Sequence, residues 1–322
     1  MPLFVNHTTG EAVCQDEIAL EDGKRDWKKR KKMSINVSKL MTTYDPERAE
    51  KIRNCSTYLE FVRVPDGSKK LHKANFCRER LCPVCQWRRS IKLGIQADQI
   101  YRMLTGAGYK HIFITLTVKN CIAEELGNTV NHIIESFGRL KRSKMWEAAI
   151  AGSYRALEIT YNEEKNTYHP HIHVLASVWG DYFDGKNEDY ITTDKLIAGW
   201  RKAARLDYNP DIGIEAVKQK PGQTITSACA EMCKYPCKSA EIHAANVLKT
   251  IDFALRGRRL IQWAGVAANA RRELELDDIE TGNLIQIGDE LPGEDELEKI
   301  VYIWRYGIYI PLDYTIIQQN AQ

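Results

Sequence analysis

Apolar and polar positions alternate most strictly in His111–Val118 (HIFITLTV). Ile112, Ile114, Leu116 and Val118 fall on one face of a strand there, and Phe113, Thr115 and Thr117 on the other. Tyr154–Tyr161 (YRALEITY) and the run from Tyr168 to Val178 read as two more strands, joined by the polar turn Asn162–Thr167 into a hairpin. Asp211–Lys218 (DIGIEAVK) reads as a fourth. Helical spacing marks Ile91, Ile95, Ile100, Met103 and Leu104, ended by Gly106 and Gly108. It marks a second helix capped by Asn128, with Val130, Ile133, Ile134, Phe137 and Leu140 on its apolar stripe. A third is opened by Thr193 and Asp194 and carries Leu196, Ile197, Trp200 and Ala204, and Thr224–Ala240 is a fourth. The order from Lys110 to Ala240 is therefore β-α-β-β-α-β-α. That order predicts an α+β fold, an antiparallel sheet with helices packed on one face, the ferredoxin-like arrangement. Glu298–Pro311 offers one or two short strands, and residues 1–50 read as loosely organised.

Composition changes this picture mainly through charge. The 322 residues are 43% hydrophobic and 28% charged, as in ordinary globular proteins. The net charge is only +3, but Glu273–Glu298 holds eleven acidic residues and no Lys or Arg. Removing those eleven negative charges leaves +14 on the remainder, which points to a nucleic-acid partner. Lys24–Lys32 (KRDWKKRKK) concentrates seven basic residues around Trp27, either as a phosphate contact or as a solvated arm. No apolar run approaches the roughly 18–20 residues that span a bilayer. The first residues also lack the charged and apolar regions of a signal peptide, so the expectation is a cytoplasmic protein with no membrane partner. The chain divides on this reading into a basic arm (1–50), a cysteine-rich segment with its helix (51–105), a core (106–245) and a C-terminal region with the acidic stretch (246–322).

Three stretches carry chemistry. In Tyr168–Leu175 (YHPHIHVL) a strand puts His169, His171 and His173 on one face, and imidazoles two residues apart form a clip for a divalent metal. If the hairpin turn is centred near Glu164 and Lys165, Glu158 stands opposite His171 on that face and becomes a third ligand. Nine cysteines, several of them bunched, suit metal ligation in a reducing compartment. Cys77, Cys82 and Cys85 follow C-x4-C-x2-C, and Cys55 or, as second choice, His72 completes a structural Zn2+ site, a zinc knuckle. Arg88 and Arg89, beside that knuckle, are candidate contacts to DNA phosphate. Finally, EMCKYPCKSA (231–240) places Glu231, Tyr235 and Lys238 on one face if it is helical, as a nucleophile, a base and a cation. Pro236 either kinks that helix at Tyr235 or makes it start there.

The order FCRERLCPVCQWRRS, FITLT, HPHIHVL, EMCKYPCK resembles the rolling-circle replication initiators of small bacterial plasmids, members of the HUH endonucleases. The resemblance runs from about Ser34 to about Gly265. It implies an HUH core in which His171 and His173 hold Mg2+ or Mn2+. It makes Tyr235 the nucleophile at the double-strand origin, joined to a 5′ phosphate and leaving a 3′ hydroxyl. Glu231 would activate the water that ends the cycle, and Lys238 would bind the scissile phosphate. The implied partners are plasmid origin DNA, single-stranded at the nick, with host helicase and polymerase; a homodimer is left open. A conjugative relaxase, a single-tyrosine transposase and a non-catalytic zinc-containing repressor are the alternatives.

Overall fold

The structure is a computed structural model that describes residues 3–14, 20, 26–185, 187–217, 242–287 and 298–316. Its elements are, in chain order, β1 (Leu3–Asn6), β2 (Ala12–Cys14), α1 (Trp27–Met41), α2 (Pro46–Asn54), β3 (Tyr58–Arg63), β4 (Lys69–Ala74) and α3 (Pro83–Gly106). There follow β5 (Lys110–Thr117), α4 (Leu126–Lys141), α5 (Lys144–Ala149), β6 (Ile150–Asn162), β7 (Thr167–Val178), α6 (Thr193–Ala203) and β8 (Ile212–Ala216). The last are α7 (Ala245–Leu255), β9 (Ile261–Gly265), α8 (Val266–Glu273), β10 (Lys299–Arg305), β11 (Ile308–Pro311) and β12 (Tyr314–Ile316). The fold is α+β with antiparallel sheets, and the chain forms two compact units, Met1–Arg88 with Thr281–Gln322, and Arg89–Glu280. No helix among the described residues is long and apolar enough to cross a membrane.

The first unit holds two sheets, of order β12-β1-β2 and β11-β10-β3-β4. Both are closed by strands from opposite ends of the chain. In the larger sheet Phe61 pairs with Ile300 and Leu59 with Tyr302. Helix α1 lies in the segment expected to be a loose arm. Trp27, Lys31, Ser34, Val37, Ser38 and Met41 recur at three- and four-residue steps and form its buried stripe. Trp27 anchors it, edge-on to Trp87 at 4.7 Å and to Phe61 at 6.1 Å. Helix α2 starts where Asp45 accepts a hydrogen bond from the Arg48 amide and Pro46 occupies the first turn.

The second unit is built on a five-stranded antiparallel sheet of order β8-β5-β7-β6-β9. Ile112, Ile114 and Leu116 of β5 pair with Ala176, Val174 and Ile172 of β7, and this apolar face is buried. Helix α4 lies over β7, and α6 is tied to it by Arg139 Nε donating to the Ala203 carbonyl at 2.6 Å. Asn128 does not cap α4. The helix begins two residues earlier at Leu126, after a 3-10 turn over Ala123–Glu125, because Leu126 is itself part of the buried stripe. Helices are not confined to one face. The second half of α3 packs Leu93, Ile100, Tyr101 and Leu104 with Tyr154, Leu175 and Ala267 on the opposite side of the sheet. Tyr101 fixes it there by donating to the Leu175 carbonyl at 2.8 Å. This second face is thus apolar toward Leu175 and Tyr154. It turns polar two and four residues along, at His173 and His171.

Candidate functional site

The polar end of that face is assembled by the β6–β7 hairpin. Its turn closes with Asn162 Oδ1 accepting from the Lys165 amide at 2.8 Å and with Asn166 at φ 49°. Asn tolerates that left-handed conformation better than most side chains. The turn sets Glu158 opposite His171 and Ala156 opposite His173, the register that the turn position predicts. Glu158 Oε2 lies 3.5 Å from His171 Nε2 and 3.4 Å from His173 Nε2, and the Glu158 and His171 residues are 5% and 8% exposed. A carboxylate this dry needs a cation beside it.

Hydrogen bonds on the far side of each ring decide what faces the carboxylate. His171 Nδ1 meets the His169 carbonyl at 3.1 Å. A carbonyl only accepts, so Nδ1 carries the hydrogen, and in the neutral form of the ring the Nε2 lone pair faces Glu158. Two acceptors 3.5 Å apart repel unless a proton or a metal ion sits between them. His173 Nδ1 lies 3.1 Å from Thr115 Oγ1, and its ring stacks on Phe113 at 5.4 Å. Carbonyl and hydroxyl partners of this kind orient metal-binding imidazoles. The His169 ring stacks on that of His171 at 5.1 Å but points its nitrogen elsewhere. Its Nδ1 is engaged by Asn120 Oδ1 at 2.8 Å, and burial, then the neighbouring His171, lowers its pKa. The group that could hold an ion is Glu158, His171 and His173.

The first unit contains a second group. The sulfurs of Cys55, Cys77, Cys82 and Cys85 all lie within 4.8 Å of one another, with Cys55–Cys85 at 3.6 Å and Cys77–Cys85 at 3.8 Å. A tetrahedral centre with metal–sulfur bonds of about 2.3 Å has edges of about 3.8 Å, so the donor set fits one. Of the two choices for the fourth position, Cys55 joins the thiols. His72 Nε2 instead lies 3.6 Å from Glu60. Burial opposes ionisation of Cys82, but hydrogen bonds from Cys55, Cys77 and Cys85 outweigh it and hold that thiol well below its ordinary range. Those same contacts to its three neighbours, with burial, push Cys55 well above it.

The sequence pattern missed the surroundings of these thiols. Lys31 is fully buried, and its ammonium donates to the Arg53 carbonyl at 2.6 Å and to the Cys55 carbonyl. Ser34 Oγ lies 3.5 Å from Cys82 Sγ and accepts from the Val84 amide. Both residues stand on the buried stripe of α1, and the three- and four-residue spacing from Trp27 is the signal that could have found them.

Arg88 and Arg89 are placed inside the protein. Arg88 donates to the Leu284 and Ile285 carbonyls, both at 2.8 Å, with its guanidinium over the Trp27 and Trp87 rings, and Arg89 donates to the Glu280 carbonyl. A phosphate contact by either would require it to leave those carbonyls. Glu231, Tyr235 and Lys238 lie outside the described residues.

Comparison with known proteins gives the family. Residues 68–310 match the family model described as "Replication protein". "Protein rep" of Streptococcus pneumoniae serotype 2 (strain D39 / NCTC 7466) is 34% identical over 300 residues, covering 90% of this chain and 93% of its own length. "Protein rep" of a Bacillus species is 36% identical over 305 residues, covering 87% and 97%, and that of Lactiplantibacillus plantarum is 33% identical over 303, covering 89% and 95%. No solved structure matches the chain. With a family match over most of its length and relatives that it spans almost end to end, the chain belongs to the replication protein family, as a plasmid replication initiator.

Proposed function

We propose that the chain starts rolling-circle replication by nicking one strand of a plasmid's double-strand origin, with Tyr235 as nucleophile. In this reading the five-stranded sheet is the ferredoxin-like core of an HUH endonuclease, working in the cytoplasm on DNA that is single-stranded at the nick. Glu158, His171 and His173 would hold Mg2+ or Mn2+, and the four cysteines Zn2+. The observation that carries the reading is the convergence of one carboxylate and two correctly turned imidazoles on a single sheet face, in a chain of this family.

A divalent ion bound there would neutralise the phosphate and the charge that grows on it as the nucleophile arrives. The chain's own groups do the rest. Thr115 and the His169 carbonyl keep the two rings aimed, so that no reorientation is needed at the moment of reaction. The Tyr235 oxygen bonds to phosphorus while the bond to the 3′ oxygen breaks. The tyrosine gives up its proton and the leaving 3′ oxygen takes one, so the products are a 5′ phosphotyrosine and a 3′ hydroxyl. A tyrosine with pKa about 10 is ionised only about once in a thousand at neutral pH, which is the work left for a base. Glu231 is assigned the water of the closing step and Lys238 the scissile phosphate.

The test is incubation of supercoiled origin plasmid with the protein and Mg2+ or Mn2+. The expected product is a nicked circle carrying protein on the 5′ end, lost in Tyr235→Phe. A free 5′ phosphate without adduct would replace this reading by hydrolysis, and binding without cleavage by a repressor.

A further inference from the structure

The end of α2 and the thiol cluster share one buried cation. Lys31 of α1 is 0% exposed, and its ammonium donates to the Arg53 carbonyl at 2.6 Å and to the Cys55 carbonyl. Those carbonyls belong to the last turn of α2 and to the residue after it, where a helix end leaves acceptors unpaired and partly negative. Capping explains the hydrogen bonds. It does not explain a whole charge kept away from water, which needs an anion beside it. Burial lowers the Lys31 pKa, and the groups that oppose burial are the thiols of Cys55, Cys82 and Cys77. The sulfurs also receive hydrogens. The Cys77 amide donates to Cys55 Sγ at 3.4 Å, and Ser34 Oγ, one turn along α1 from Lys31, lies 3.5 Å from Cys82 Sγ. A thiolate only accepts, so with Cys82 ionised Ser34 supplies the hydrogen there. Ser34 accepts in turn from the Val84 amide at 3.3 Å, which pins its hydroxyl beside the cluster.

We propose that Lys31 and Ser34 are the positioning residues of the cysteine site. Lys31 supplies the buried counter-charge that lets four thiolates keep a divalent ion, and Ser34 holds the Cys82 sulfur as an acceptor. The inference rests on reading the thiols as a metal site, and it is independent of the nicking reaction. Four thiolates around a divalent ion carry a net charge of −2. Cys55, Cys82 and Cys85 are buried, and hydrogen bonds spread that charge without cancelling it. The ammonium cancels part of it from inside. Each side therefore retains the other: an emptied cluster leaves Lys31 without its anion, and a neutral residue at position 31 leaves the loaded cluster with more charge than a dry interior tolerates. Residues that never touch the ion set how tightly it is held.

The experiment loads the full-length protein with Zn2+ or Co2+ and follows two readouts, transfer of Zn2+ to a chromophoric chelator and the thiolate-to-cobalt charge-transfer band. Lys31→Gln still offers hydrogen-bond donors to the α2 carbonyls and removes the charge. It should hold Zn2+ at least ~10-fold more weakly than the wild type. Its cobalt band should move to longer wavelength, because thiolates without a cation nearby give up electron density more easily. If Lys31 does no more than cap α2, the glutamine amide takes over that task and both readouts keep their wild-type values, which overturns the proposal. Ser34→Ala removes one oxygen at a helical position where alanine is favourable, and it decides the point should Lys31→Gln fail to fold. It should release Zn2+ about 10-fold faster, and an unchanged rate overturns the proposal. A wild type that takes up neither metal in its thiols sinks the metal reading and this inference with it. A wild type that loads metal, beside variants that load and hold it equally well, sinks only the roles of Lys31 and Ser34. Failure of the wild type to nick plasmid would sink the nickase and leave these measurements untouched.

Discussion

His111 and His171 stand on the same sheet face, and their surroundings give them opposite tasks. His111 is enclosed near Tyr101, with Thr105 Oγ1 at 2.9 Å from Nε2 and Ser177 Oγ at 3.3 Å from Nδ1. Burial, with a smaller push from Lys110, lowers its pKa to about 4. The folded protein therefore prefers the neutral ring, while the unfolded chain takes up a proton near 6.5. Stability should be complete above about pH 6.5 and fall as pH drops toward 4, by roughly 3 kcal/mol for this residue. Denaturant melts across that window check it. In His111→Gln the slope should flatten, and an unchanged slope would assign the loss to other groups. His171 faces a carboxylate instead of hydroxyls, and there the balance favours a bound cation. Glu158→Gln should lose at least ~100-fold in Mn2+ affinity by calorimetry, since it removes a charged ligand. Thr115→Val keeps a good strand residue and deletes only the partner of His173 Nδ1, so a ~10-fold loss of Mn2+ affinity with an unchanged melting temperature is expected.

The hairpin of β6 and β7 shows why the candidate site was readable. Strand periodicity is two, and a polar turn of known position fixes the partner of every residue, so Glu158 opposite His171 follows from local sequence alone. The turn has a testable weak point at Asn166, whose φ of 49° penalises β-branched side chains. Asn166→Val should cost about 1–2 kcal/mol by denaturant melts and Asn166→Gly little, a contrast that would vanish if the turn relaxed. Helix α1 was legible in principle and hidden in practice. Its stripe has helical spacing, but one position is a lysine inside a basic run, and charge suggested solvent where the structure has a core. The fourth cysteine ligand was a choice between Cys55 and His72, because a ligand's distance along the chain says nothing about its direction in space. Least legible was the pairing of β3 with β10. Only the stretch holding β10 was expected to be a strand, and no local signal names a partner more than two hundred residues away.

At the scale of the whole molecule, the second unit is one continuous stretch of chain and the first is not. Its larger sheet has β3 inside, between β4 and β10, and its smaller sheet has β1 between β2 and β12. A chain stopped after Glu298 leaves one side of β3 and one side of β1 unpaired. Exposed edges of that kind recruit other chains, so such a truncation should elute as aggregate where the full protein does not. The arrangement also imposes a timetable on synthesis. At about 5–20 residues per second, β3 waits roughly ten seconds to a minute for β10 to leave the ribosome. Until then the cysteine cluster sits in a half-built unit, even though all of its ligands were made early. Every interrupted round of translation thus yields a protein that lacks a finished first unit. The last strands act as a certificate of completeness, and premature fragments are left with open sheet edges in the unit that carries α1.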